Sequence, residues 1–284
     1  MNFKKDLPLT SSHWGTYRAK VKDGKIKELI GWENDKDPSP IGQGIVDVHN
    51  HQTRIDSPMI RKSWMDKGPG SNNSLRGTDP FISISWDEAE KIVSNELNRV
   101  KNDFGNASIF GGSYGWASAG RFHHAQSQLH RFLNCIGGYT RSKFTYSFAA
   151  AEAMVPHILG SYRAYLDTCT SWDSIEENTK LFICFGGVPL KNGQIAQGGT
   201  GSHKQKEKLI RSANAGIKFV NFSPLKSDLL DEVNGEWLAL RPNTDVAIML
   251  GLAHTLYKEK LYDDKFIEKY TEGFYTFLPY LQGD

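Results

Sequence analysis

Leu181-Phe182-Ile183-Cys184-Phe185-Gly186-Gly187 and Lys218-Phe219-Val220-Asn221-Phe222-Ser223-Pro224 bracket the stretch that decides the fold. Each is a short, continuous apolar run closed by turn-forming residues, the pattern of a strand buried on both faces. Between them, a helical stretch around Lys204 to Asn214 is closed by Gly216. Strand, helix and strand at this spacing make a βαβ unit, whose right-handed crossover leaves the strands parallel in one sheet. A third short strand is predicted at Trp237 to Leu240. Thr244-Asp245 then opens a helix with Val246, Met249, Leu250, Ala253 and Leu256 on one face.

Ligands of such sheets sit at the carboxyl ends of the strands. Here those ends are Gly186 to Asn192, Ser223 to Ser227, and Arg241 to Asp245. Loops of small and polar residues that lead into helix N-termini present unpaired N–H groups and a partial positive charge, which suit a pyrophosphate. The Gly-x-Gly-x-x-Gly fingerprint is absent, and Gly198-Gly199-Thr200-Gly201 comes too late after its strand to replace it. Spacing alone therefore leaves nucleotide binding and ordinary loops both open.

Upstream, residues 1–58 read as a small β-rich region with strands at Tyr17 to Val21 and Lys25 to Ile30. An α/β region at 59–155 follows. Phe81 to Ile84 reads as a strand, and Ser85-Trp86-Asp87-Glu88 is a capping box. After it, Ala89, Ile92, Val93, Leu97 and Val100 recur at helical spacing. Ser108-Ile109-Phe110 is expected to be a short buried strand running into Gly111 to Trp116. The next helix is expected to bury Phe122, Ala125, Leu129, Phe132 and Ile136 and to stop at Gly137-Gly138. Residues 156–284 are expected to form a Rossmann-like region, so the expected fold class is α/β.

With 34 Lys and Arg against 32 Asp and Glu, the charge is too balanced for a protein whose main partner is nucleic acid. Cys135, Cys169 and Cys184 form no CxxC pair and are expected to be reduced structural thiols. No apolar run approaches the ~18 residues of a membrane helix. Met1 to Trp14 contains neither an apolar h-region nor a twin arginine, so the chain as written is expected in the cytoplasm, or in the periplasm if its start is incomplete.

Three clusters admit more than one role. Tyr114-Gly115-Trp116 sets two large aromatics on a glycine-hinged turn, where they line a pocket or pack locally. Ser147 is by itself a helix-start serine. His49-Asn50-His51 follows the apolar run Gly44 to Val48 and has the form of an amidohydrolase metal motif, in which alternate strand residues aim two imidazoles to one side. A barrel of that class needs eight strand–helix pairs, which the chain downstream does not provide. His123, His124 and His130 lack the i, i+4 spacing of a zinc helix. Lys204 to Lys208 reads as a solvated helix face.

Taken in order, His13-Trp14-Gly15, Pro58-Met59-Ile60-Arg61-Lys62, Ile84 to Ala89, Gly112 to Trp116, Tyr146-Ser147, Asn243 to Ala247 and Phe277 to Leu281 resemble the molybdopterin oxidoreductases. The likeness is to the dimethyl sulfoxide, trimethylamine N-oxide and biotin sulfoxide reductase branch, and it spans nearly the whole chain. It implies a molybdenum ion held by two molybdopterin guanine dinucleotides, with no iron–sulfur cluster. Ser147 matches the metal ligand, and its hard alkoxide oxygen suits a high-valent ion. Tyr114 matches the phenol that hydrogen-bonds the substrate oxygen, and Trp116 the indole that walls the pocket. Pro189, Lys191, Asn192, Ser223, Pro224, Pro242, Thr244 and Asp245 match positions lining one dinucleotide, Asp245 as acceptor for a guanine amino group.

The implied reaction is reduction of a small S-oxide or N-oxide by oxygen-atom transfer, fed by an electron donor that the sequence does not name. The chain departs from the family where Phe148 places a ring beside the ligand serine, and where Val188 and Ser223 replace the usual Asn or Asp. Members of that family are more than twice as long, so the resemblance implies an N-terminal portion that does not retain molybdenum tightly alone. The alternatives are a non-catalytic remnant of such an enzyme and an amidohydrolase using His49 and His51.

Overall fold

A computed structural model describes residues 6–49, 51–112, 124–196 and 198–283. The chain divides into two compact units, 1–169 with 194–203 and 170–193 with 204–284, and each is described by itself.

The first unit opens with an antiparallel sheet of β1 (Leu9–Ser12), β2 (Gly15–Lys22) and β3 (Lys25–Gly31). Asp23 and Gly24 join β2 to β3 at φ of 54° and 70°, the doubly left-handed turn that matches the twist of a hairpin. Tyr17, Ala19 and Leu29 form its core and are covered by Ile45 and Val46 of α1 (Ile41–Val48). Gly42 is required there, because a Cβ would run into the Tyr17 ring. This helix corrects the sequence reading of Gly44 to His51. His49 is the residue that ends a helix, not a strand residue, and its carbonyl accepts a bond from Arg54 Nη1 at 2.7 Å. Val48 and His49 thus lack the alternating geometry that the amidohydrolase alternative needs.

β4 (Met59–Arg61) pairs antiparallel with β5 (Phe81–Ser83), and α2 (Lys62–Lys67) lies between them in sequence. α3 (Trp86–Phe104) starts at the predicted capping box. Glu88 N–H donates to Ser85 Oγ at 3.2 Å and Ser85 N–H donates to Glu88 Oε2 at 2.9 Å. The expected strand at Ser108 to Phe110 is instead a 3-10 turn, Asn106–Ser108, followed by one isolated bridge between Phe110 and Thr140. The Asn106 side chain takes the place of a ladder by donating to the carbonyls of Ile136 and Gly138. α4 (Ala125–Cys135) closes at Gly137-Gly138 as expected, both left-handed. Leu133 is its buried residue, whereas Phe132 is half exposed. α5 (Ala149–Leu159) and α6 (Tyr162–Asp167) complete the unit, so the predicted boundary at 155/156 falls within α5.

The second unit contains α7 (Trp172–Asn178), β6 (Leu181–Phe185), α8 (Leu190–Gly193), α9 (Gln205–Asn214), β7 (Lys218–Ser223), β8 (Glu236–Ala239), α10 (Asp245–Lys258), α11 (Asp264–Tyr270) and α12 (Phe274–Gln282). β6, β7 and β8 are parallel in that order, with Phe185 opposite Phe222 and Ser223 opposite Ala239. The predicted βαβ unit is therefore present. Its core joins Cys184 and Phe219 to Leu209 of α9 and to Leu229 and Val233, with Phe182 stacked on Phe219 at 5.2 Å. The charged run on α9 is less solvated than predicted: Lys208 donates to Asp173 at 2.5 Å, and Arg211 to Glu176 at 2.6 Å, fastening α9 to α7. Among the described residues no helix is long and apolar enough to cross a membrane.

Candidate functional site

Parallel pairing places the carboxyl ends of β6, β7 and β8 along one edge of their sheet. After β6 the chain turns through Gly186 and Gly187, at φ of 84° and 79°. Gly186 N–H donates to Phe222 O at 2.9 Å and Val188 N–H to Asp228 O at 2.7 Å, so the loop is fixed to the chain that follows β7. Gln205 Nε2 donates to the carbonyls of Val188 and Pro189, both at 3.2 Å, and fixes the far side of the same turn. Pro189 is half-buried, while Lys191 and Asn192 on α8 are exposed.

β7 ends at Ser223, which is fully buried and fully used. Its hydroxyl donates to Asp228 Oδ2 at 2.5 Å and accepts from Leu225 N–H at 3.2 Å. Its carbonyl accepts from Trp237 Nε1 at 2.8 Å. Pro224 beside it is exposed. Asp228 was not singled out in the sequence, yet it ties both loops together through its carboxylate and its carbonyl. The available signal was the second glycine of Gly186-Gly187: a Cβ on Gly187 would run into Asp228.

After β8, Pro242 is exposed and Asn243 adopts φ of 68°, which turns the chain into α10. Thr244 and Asp245 are half-buried. Thr244 Oγ1 donates back to Arg241 O at 2.6 Å, so the N-cap side chain of α10 makes no capping bond to the N–H groups of the helix's first turn. The loops after β6, β7 and β8 thus carry, besides their main-chain N–H groups, the exposed Lys191 ammonium and the carboxylates of Asp228 and Asp245.

The metal-site candidates lie in the first unit. Tyr114 and Trp116 lie outside the described residues. Ser147 is exposed in the turn that leads into α5. That turn is shaped from both ends: Thr145 N–H donates to Glu152 Oε2 at 2.7 Å, and the Phe148 ring packs on Tyr162 at 5.6 Å. The bulky neighbour of Ser147 thus has a partner of its own. Among the described residues no group of three or more His, Cys, Asp or Glu is arranged to hold a metal ion. Cys184 is buried, and burial pushes its thiol up to about 11. Cys135 and Cys169 are exposed.

Residues 54–277 match the family model described as molybdopterin oxidoreductase, and residues 10–48 match its N-terminal domain. The chain belongs to the molybdopterin oxidoreductase family. It is 37% identical over 276 residues to the dimethyl sulfoxide/trimethylamine N-oxide reductase of Rhodobacter capsulatus, which covers 97% of this chain and 33% of that protein. It is 39% identical over 251 residues to the biotin sulfoxide reductase of Cereibacter sphaeroides, covering 88% and 34%. To the trimethylamine-N-oxide reductase of Haemophilus influenzae it is 34% identical over 275 residues, covering 97% and 33%. The chain spans about a third of the length of these curated relatives. Membership in this family removes the amidohydrolase alternative.

Proposed function

We propose that this chain is part of a molybdenum enzyme that reduces an S-oxide or N-oxide by oxygen-atom transfer, and that the β6–β8 edge holds one molybdopterin guanine dinucleotide. The observation that carries the proposal is the alignment of three parallel strand ends with the start of α10, whose N-cap side chain makes no capping bond. The donor set fits the group. Left-handed Gly186 and Gly187 let main chain approach a ligand closely, exposed Lys191 offers a cation to a phosphate, and Asp245 offers a carboxylate to guanine N–H groups. Pro189, Asn192, Pro224, Pro242 and Thr244 line the same edge. Ser223 acts there by fixing the shape of the loop, since its hydroxyl is already engaged.

Ser147 is the residue proposed to ligate the metal, with Trp116 beside the cofactor and Tyr114 donating to the substrate oxygen. When bound, the metallopterin supplies the two-electron chemistry, and the chain supplies ligation, orientation and hydrogen bonds. The relatives' printed names suggest dimethyl sulfoxide, trimethylamine N-oxide and biotin sulfoxide as substrates to test. Oxidation of reduced viologen by the polypeptide that carries this chain, offered each of these in turn, is the direct assay. Turnover with at least one supports the proposal, and no turnover by a preparation shown to contain molybdenum overturns it.

A further inference from the structure

Asn221 sits in β7 on the face that also carries Phe219 and Ser223, and all three are buried. Phe219 belongs to the apolar core, and Ser223 is fully hydrogen-bonded. Asn221 is the exception. Both polar atoms of its carboxamide, Oδ1 and Nδ2, are buried and have no hydrogen-bond partner among the described residues. Its neighbours across the sheet do not supply one. Cys184 of β6 has only a thiol, a weak donor, and Trp237 of β8 already donates its single N–H to Ser223 O. A carboxamide left unpaired in the interior loses its hydration with nothing in return, and a bound water or ion is the usual reason that such a group persists.

Room for an occupant lies beside it. Asn221 lines a cavity of about 90 Å³ between β7 and the excursion 224–235 that joins β7 to β8. Leu229 is its other buried wall, and the exposed residues Lys226, Asp231, Asn234 and Trp237 stand around it. At about 30 Å³ per molecule in the liquid, this volume holds about three waters. The charges narrow the choice. Lys226 and Asp231 carry opposite signs on the same rim, so neither a cation nor an anion meets a net charge that favours it. A carboxamide both donates and accepts, and water matches both needs.

We propose that Asn221 and the excursion 224–235 enclose a site for ordered water, in which one molecule donates to Asn221 Oδ1 and another accepts from Nδ2. These waters also bond polar groups of the excursion, so solvent joins the interior of β7 to the segment that carries Asp228. Neither bound cofactor nor oxygen transfer enters this inference, so failure of the function proposed above leaves it standing.

The test is a high-resolution crystal structure of the polypeptide that carries this chain. Ordered waters should lie within about 3.2 Å of both Oδ1 and Nδ2 of Asn221, with at least one of them also bonded to the excursion. Amide atoms bonded to protein groups, a metal ion about 2.3–2.6 Å from Oδ1, an organic molecule in the cavity, or no ordered density beside the amide would each overturn the assignment. Urea unfolding of Asn221→Val and Asn221→Leu gives a second reading that needs no crystals. An amide without partners predicts more stable variants, because two unpaired groups leave the interior. A hydrated amide predicts no such gain. A rise of about tenfold or more in the folding equilibrium constant of either variant, equivalent to about 1.4 kcal/mol, overturns the water site, and a smaller change or a fall supports it. If neither variant folds, the crystal structure of the unaltered protein decides.

Discussion

Alanine at Gly187 and alanine at Gly186 should differ sharply in cost, although both residues hold nearly the same left-handed backbone, at φ of 79° and 84°. A Cβ in that region costs about 1–2 kcal/mol. At Gly186 nothing stands within 4 Å of the added atom, so this backbone cost is the whole expected loss. At Gly187 the added atom meets the Cβ and the main-chain carbonyl of Asp228. Overpacking against an atom that cannot swing away costs about 1–3 kcal/mol. Moving Asp228 to relieve it loosens the bonds from Val188 N–H at 2.7 Å and Ser223 Oγ at 2.5 Å, each worth about 0.5–1.5 kcal/mol. The expected loss for Gly187→Ala is about 3–8 kcal/mol, a large share of the ~5–15 kcal/mol of an ordinary domain. Urea unfolding followed through Trp237, whose indole N–H rests on Ser223 O, reports on the affected unit. Equal losses for the two variants would refute the argument that Asp228 latches the β6 loop to the end of β7.

Ser147→Ala should abolish oxygen transfer and change the absorption of the bound metal while shifting stability by less than about 0.5 kcal/mol, since the side chain is exposed. An unchanged metal spectrum counts against ligation. Ser85→Ala should destabilise the chain by about 1 kcal/mol in thermal unfolding. Hydrogen bonds from Ser85 hold the Glu88 carboxyl below its ordinary 4.5, so this contribution is full above pH 4.5 and fades as pH falls through the lowered value. The gap between variant and parent should narrow in acid, leaving the share of the pH-independent bond from Glu88 N–H to Ser85 Oγ, and a gap constant with pH would remove the Glu88 carboxylate from the explanation. Cys184, its thiol raised to about 11, should resist alkylation at mildly alkaline pH while exposed Cys135 and Cys169 react; rapid labelling of all three contradicts the buried placement.

The elements legible in the sequence were those whose signals are local. The apolar runs at 181 and 218 became parallel strands, and Ser85 with Glu88 became a closed capping box, because period and capping chemistry act within a few residues. Gly44 to His51 failed the same procedure. A short apolar run fits helix and strand equally, and the tie was broken by Tyr17, which accepts a helix with glycine at 42 against its ring. Asp228 was invisible for a similar reason: its partners Val188 and Gly187 are distant in sequence, and only the sheet brings them together. His203 drew no reading from the sequence, because its partner Asp35, 2.7 Å away, is distant along the chain.

Asp245 offers a last distinction, because two physical roles meet in one carboxylate. As the first residue of α10 it complements the helix dipole, worth about 0.3–1 kcal/mol, and it does so where Thr244 provides no cap. As a guanine acceptor it would take the ring N–H and the exocyclic amino group together, and hydrogen bonds to a charged group are worth about 1.5–3 kcal/mol. Asp245→Asn separates the two. A helix role alone predicts a slightly less stable chain with no change in base preference. The guanine role predicts that guanosine diphosphate binds better than inosine diphosphate, which lacks the amino group, by about tenfold or more in the parent, since about 1.4 kcal/mol is tenfold. In the variant most of that preference should vanish. Calorimetric titration with both nucleotides reads this directly. A parent chain that cannot tell the two bases apart confines Asp245 to capping α10, and guanine recognition at this edge must then fall to other groups.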